Sequence, residues 1–153
     1  MMWYTHLVFS LLCGILFLDV SAVSHPWIFL VLVVLFGFFP DIDESKSKIG
    51  RKLPGISHII KFIFGHRGLF HSIWIPIVVL IITFIFGVSF IGWAFLVGYL
   101  AHLIGDALTV GGVKFLYPLK LQIKGFFKTG KLFEKILFII LLILDIYLVL
   151  GLL

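Results

Sequence analysis

The sequence predicts an all-α fold, a polytopic transmembrane helical bundle of about five spans forming one integral membrane domain over residues 1–153. Three observations predict it. The chain is 62% hydrophobic and only 12% charged, with a mean hydropathy of +1.26, whereas soluble domains are about half apolar and about a quarter charged. Its apolar residues gather into five long stretches, and a spanning helix needs roughly 20 such residues. All twelve Lys and Arg fall into the two segments that are too polar to span. This composition rules out an ordinary soluble domain and a disordered chain. The net charge of +5 then reads as loops facing anionic headgroups, with no nucleic-acid partner.

The first stretch runs from about Trp3 to Val20. Met1 to Val20 has the length of a signal peptide but lacks a basic leading region and holds a polar His6, so it reads as a retained span. The second covers about Pro26 to Phe39, the third Leu69 to Phe86, the fourth Phe90 to Leu108 and the fifth Leu132 to Leu153. The links Ser21 to His25 and Gly87 to Ser89 are short turns, so spans one and two, and three and four, form antiparallel hairpins. Between them, Asp41 to Gly68 holds Lys46, Lys48, Arg51, Lys52, Lys61 and Arg67, and its Ile56 to Phe64 piece has the amphipathic pattern of an interfacial segment. Lys114 to Lys135 holds the other six lysines, and Leu119 to Lys124 alternates apolar and polar residues as an extended piece or small hairpin does. One hairpin separates the two basic segments, so both lie on one side. The positive-inside rule makes that side cytoplasmic, with a cytoplasmic N-terminus and an external C-terminus in a multi-pass cell-membrane protein surrounded by lipid. The lone Cys13 has no partner for an intrachain disulfide and leaves the redox compartment unread. Oligomeric state is not written in the sequence.

The polar residues at span ends converge. His6 starts span one, Asp41 and Asp43 follow Pro40 at the end of span two, His66, Arg67 and His71 lead into span three, and His102 and Asp106 close span four. In an alternating bundle all of these sit at the cytoplasmic end, which gathers four histidines and three aspartates at one level. His102 and Asp106, four apart, share a helix face. An extended Asp41-Ile42-Asp43 points both carboxylates the same way. Gly68 places His66 in the entry loop and His71 in the first turn of span three. A mixed imidazole and carboxylate set suits zinc, manganese or iron better than calcium. Single histidines at helix ends are commonly just hydrogen-bonded, and Asp41 and Asp43 taken alone would serve as loop caps. Asp106 differs, because an ionisable residue inside an apolar span is functional by default and His102 is its evident partner. His25 and His58 read as turn and loop residues and Asp19 as interfacial, while Asp145 lies inside span five without a nameable partner.

The ordered motifs Thr5-His6, Pro40-Asp41-Ile42-Asp43, His66-Arg67-Gly68-Leu69-Phe70-His71-Ser72 and Gly98-Tyr99-Leu100-Ala101-His102, with Asp106 and Leu108-Thr109, continue through Leu116-Tyr117-Pro118 to Lys128-Thr129-Gly130 and Glu134. This pattern resembles the membrane-bound metal-dependent hydrolases of the YdjM-like, LexA-regulated type. The motifs also look like those of the zinc-dependent phospholipase C group. The resemblance implies that His6, Asp41, His66, His71, His102 and Asp106 bind metal directly, that Asp43 is a ligand or general base, that Arg67 holds a phosphate or carboxylate, and that Ser72 and Thr109 hydrogen-bond to the ligands. Phe70, Val110 and Tyr117 depart from the residues usual in that pattern (Thr, Pro and Trp), which bears on pocket shape more than on the ligands.

The expected function is hydrolysis of a phospholipid or another membrane-associated ester or phosphoester, using one, two or more divalent ions, zinc first, with Asp43 and Arg67 in catalytic roles. Two other classes use the same cluster: a metal-ion or proton transporter, and a non-catalytic module tied together by structural metal. Depth separates the first, since an ion path needs polar groups through the whole membrane thickness.

Overall fold

Proline and glycine mark where the apolar run breaks into helices. The structure, a computed structural model, describes residues 1–43 and 68–152. Five α-helices are described: α1 (Trp3–Val20), α2 (Pro26–Phe36), α3 (Trp74–Ile85), α4 (Ser89–Ala107) and α5 (Leu132–Gly151). Pro26 opens α2 in the first turn, where its missing N–H costs nothing. Gly87 takes φ +71° between α3 and α4, a left-handed turn that glycine makes without strain. Two 3₁₀ turns, Phe39–Asp43 and Leu69–His71, flank the gap in the description. No strand is present among the described residues. Val113 and Ile123 form an isolated antiparallel bridge, exchanging two 2.9 Å hydrogen bonds, so the second basic segment does contain extended backbone. The amphipathic Ile56 to Phe64 piece lies outside the described residues.

Helix lengths differ from the apolar stretches. At about 1.5 Å per residue, α1, α4 and α5 reach roughly 27–30 Å, the thickness of a bilayer core. By contrast α2, with 11 residues, and α3, with 12, reach only about 17–18 Å. Two helices, α1 and α4, are long and apolar enough to cross a membrane by length and composition. The third long one, α5, carries Glu134, Lys135 and Asp145. The shortening of α2 and α3 has one cause: their apolar runs continue into the 3₁₀ turns. Pro40 lacks an amide donor, and Phe38 and Phe39 are as apolar as the helix before them.

At the centre α4 packs against α1, α2 and α3, and α5 packs on α1. The starts of α1 and α3 and the ends of α2 and α4 meet at one end of the bundle, where His6, Asp41, His71, His102 and Asp106 lie together. The start of α5 joins them there, since Glu134 accepts the Met2 amide at 2.6 Å. Helix directions therefore alternate. α1 and α5 run parallel, with Tyr4 against Phe138 near the starts (ring centroids 4.9 Å) and Ile15 and Asp19 sharing a crevice with Leu148 and Leu152 near the ends. The core is apolar, built around Phe95, Tyr99 and Leu103 of α4 and, toward the opposite end, Phe29, Val33 and Ala94. The outer faces are apolar too: Ile81 and Ile85 of α3 and Ile139, Ile143 and Ile146 of α5 are exposed, as lipid-facing residues are.

Candidate metal centre

Helix α4 organises the site. His102 and Asp106 lie one turn apart on its buried face, as their four-residue spacing requires. The Nδ1 of His102 is 2.8 Å from the Gly37 carbonyl oxygen. A carbonyl only accepts, so Nδ1 carries the ring proton and Nε2 is left with its lone pair. That Nε2 has no hydrogen-bond partner. It faces Asp41 Oδ1 at 3.7 Å and Asp106 Oδ2 at 3.8 Å. The same Asp106 Oδ2 is 3.9 Å from His71 Nε2. Donor atoms of Asp41, His71 and His102 lie within 4.8 Å of one another. A lone pair aimed at two carboxylate oxygens in a buried site is repulsive unless a proton or a metal ion lies between them. The spacing suits one: metal–ligand bonds of about 2.0–2.2 Å place neighbouring tetrahedral donors about 3.4 Å apart.

Asp106 faces two ways. Its Oδ1 is 3.2 Å from His6 Nε2 and 2.6 Å from the Met1 nitrogen. The His6 ring stacks on that of His102, with centroids 3.9 Å apart and planes 6° apart. His6, His102 and Asp106 thus form a second group of donor atoms within 4.8 Å, sharing His102 with the first. His6, His71, His102 and Asp106 are buried, whereas the Asp41 side chain keeps 24% of its exposure and marks the open side. Burial raises the Asp41 carboxyl above the usual carboxylate range.

Asp41 and His71 do not sit on α-helices. His71 closes the Leu69–His71 3₁₀ turn, ahead of α3 rather than in its first turn. Its turn is fixed by the Tyr99 hydroxyl of α4, which donates to the Phe70 carbonyl, and by Ser72, whose hydroxyl donates to the Leu69 carbonyl at 2.6 Å. Thr109 donates to the Asp106 carbonyl at 2.8 Å and closes α4 below the carboxylate. The expectation of an extended Asp41-Ile42-Asp43 is corrected: Phe39–Asp43 is a 3₁₀ turn, in which three residues complete a turn, so residues two apart do not share a face. Asp41 reaches the centre. The Asp43 side chain, His66 and Arg67 lie outside the described residues.

Sequence reasoning did not find the Gly37 and Phe70 carbonyls, because any residue supplies a carbonyl. Tyr99 carried a weak signal, a polar tip three residues before His102 on the same helix face. Glu134 stands in the sequence only as part of a motif, yet it is buried and accepts the amides of Met2 (2.6 Å) and Gly130 (2.5 Å).

The fold and site define a helical membrane protein with a buried cluster of histidine and aspartate able to hold a metal ion. Within that class the chain belongs to the YdjM inner membrane protein family, whose profile matches residues 1–152. Inner membrane protein YdjM of Escherichia coli (strain K12) is 35% identical over 126 residues, covering 74% of this chain and 63% of that protein. Uncharacterized protein YvsG of Bacillus subtilis (strain 168) is 36% identical over 100 residues, covering 63% of this chain and 62% of its own. The matched region is therefore less than two thirds of the length of these curated relatives. No solved structure matches the chain.

Proposed function

We propose that the chain is a membrane-embedded metal-dependent hydrolase acting on a phospholipid or similar membrane ester. The observation that carries this reading is His102 Nε2, stripped of its proton by the Gly37 bond and aimed at Asp41 and Asp106. A divalent ion held by Asp41, His71, His102 and Asp106 would polarise an ester oxygen and lower the pKa of a water toward roughly 7. The mixed nitrogen and oxygen donors favour zinc, with manganese and iron next. A second ion toward His6 would take the place of the Met1 ammonium that Asp106 Oδ1 accepts at 2.6 Å. In this reading Asp43 takes the proton from the attacking water, and Arg67 steadies the negative charge that develops on the substrate. His66 belongs to the proposed ligands by its motif.

Five spans, with the basic segments and the centre on the cytoplasmic side, complete the proposal. His6 and His102 lie 14 and 13 residues from the opposite ends of their helices, about 20 Å by helical rise. That depth favours a lipid headgroup as substrate. An ion path is disfavoured: deeper than the centre, the described helices bury only Ser10 and Asp145 as polar residues.

The test uses the full chain in vesicles of zwitterionic and anionic phospholipid, with and without zinc or manganese. Release of headgroup or phosphate that is lost in a His102→Ala, Asp106→Ala double variant is the expected result. His102-dependent metal uptake into the vesicles without hydrolysis would replace this reading with transport. Metal retained without either activity would leave a structural module.

A further inference from the structure

The Gly37 carbonyl fixes the His102 tautomer, and the structure explains why that carbonyl is where it is. Gly37 ends α2 with φ −60° and ψ −18°, an ordinary right-handed conformation open to any residue. Its backbone therefore does not require glycine; its surroundings do. A Cβ at residue 37 would lie 2.4 Å from Ser10 Oγ and 3.1 Å from Ser10 Cβ, both of α1. From the other side, a Cβ at Gly98 of α4 would lie 2.1 Å from the Val33 carbonyl oxygen and 2.9 Å from the Gly37 nitrogen. Those two atoms are joined by the last hydrogen bond of α2, at 2.9 Å. The end of α2 is thus held between Ser10 and Gly98, with no room for one more carbon on either side. Gly98 is one turn before His102 on α4, so the contact that sets the height of Gly37 also sets the ring it serves. Ser10 Oγ is buried and makes no hydrogen bond, so its role at this junction is one of size.

We infer that Ser10, Gly37 and Gly98 form a three-helix junction that positions the metal centre, holding the Gly37 carbonyl on His102 Nδ1 so that Nε2 stays free for an ion. These are positioning residues, and the inference rests on the metal-binding part of the reading above. It has a consequence a general packing role lacks: the effect of a Cβ at residue 37 must depend on the size of residue 10.

The experiment uses the full chain in detergent micelles and three variants: Gly37→Ala, the double variant Ser10→Gly, Gly37→Ala, and Gly14→Ala. In the double variant the two short contacts vanish, and of the three nearest atoms Val34 O, at 3.3 Å, remains. Gly14→Ala is the packing control, because its Cβ meets the ends of Leu30 and Val33 at 2.9 and 3.2 Å in the same α1/α2 seam, one turn farther from the centre. Two quantities are read: zinc affinity, and the nitrogen chemical shifts of the His102 ring in metal-free protein, which report its tautomer. Gly37→Ala is expected to weaken zinc by about 10–100-fold, the usual effect of losing a group that orients a ligand, and to mix the tautomers. The double variant is expected to return both to the original values, and Gly14→Ala to leave both unchanged. The inference is overturned if Gly37→Ala keeps the single tautomer and the affinity, if the double variant fails to recover them, or if Gly14→Ala has the same effect. If the unaltered chain keeps one His102 tautomer but binds no zinc, the junction stands and the metal reading fails.

Discussion

Asp106→Asn isolates the charge at the centre of the site while keeping its shape. Asp106 Oδ2 is 3.8 Å from His102 Nε2 and 3.9 Å from His71 Nε2, distances left unbridged by hydrogen but close to the separation of two donors on one ion. Its Oδ1 is 3.2 Å from His6 Nε2. An amide here removes one negative charge and turns one of the two oxygens into a donor, which cannot bind metal. An ion present at 100 times its dissociation constant stabilises a native state by about 2.7 kcal/mol. For a chain of this size each kcal/mol moves the melting temperature by about 2–4 °C, so saturating zinc is expected to raise it by roughly 5–10 °C. Asp106→Asn is expected to remove that increment, and a chelator to remove it from the unaltered chain. The assay is thermal unfolding in detergent with zinc or chelator, with Asp19→Asn, exposed near the far end of α1, as control. A zinc-dependent rise of the same size in Asp106→Asn would refute this, because the carboxylate that faces both His102 and His71 would then not touch the ion.

Other outcomes follow from the same contacts. Metal affinity falls on acidification, and it does so at a higher pH than an exposed carboxylate would give, because burial raises the Asp41 carboxyl and a proton there excludes the ion; zinc content after equilibration across a pH series checks the sign. Replacing Asp145, buried in α5 with neither oxygen hydrogen-bonded, by leucine stabilises the fold by about 1–3 kcal/mol, the cost of an unmade buried polar contact; a lower melting temperature would show that the carboxyl has a needed partner. Gly98→Ala pushes its new carbon against α2 backbone, which cannot rotate away as a side chain can, and is expected to lower stability by about 1–3 kcal/mol, measured by thermal unfolding.

Much of this arrangement was legible in the sequence. Apolar stretches located all five described helices, and alternation of direction then brought His6, Asp41, His71, His102 and Asp106 to one end without any knowledge of contacts. The four-residue spacing of His102 and Asp106 gave their shared face directly. The ends of α2 and α3 were not legible. Phe38, Phe39, Leu69 and Phe70 are apolar enough to be helix, and composition does not separate an α turn from a 3₁₀ turn. That ambiguity moved His71 out of α3 and replaced the expected extended backbone at Asp41-Ile42-Asp43 with a 3₁₀ turn. The supports of the site were hidden for a different reason. Gly37 and Phe70 act through backbone carbonyls, and Ser10 acts through its size. No side-chain chemistry marks either role, so only the packed structure reveals them.

The most direct test of the central claim is an anomalous-scattering map of the zinc-soaked protein recorded at the zinc edge. A peak is expected about 2.0–2.2 Å from His102 Nε2, His71 Nε2 and carboxylate oxygens of Asp41 and Asp106. Zinc bound elsewhere, or a map with no peak among these four side chains while His102 keeps its bond to Gly37, would contradict it.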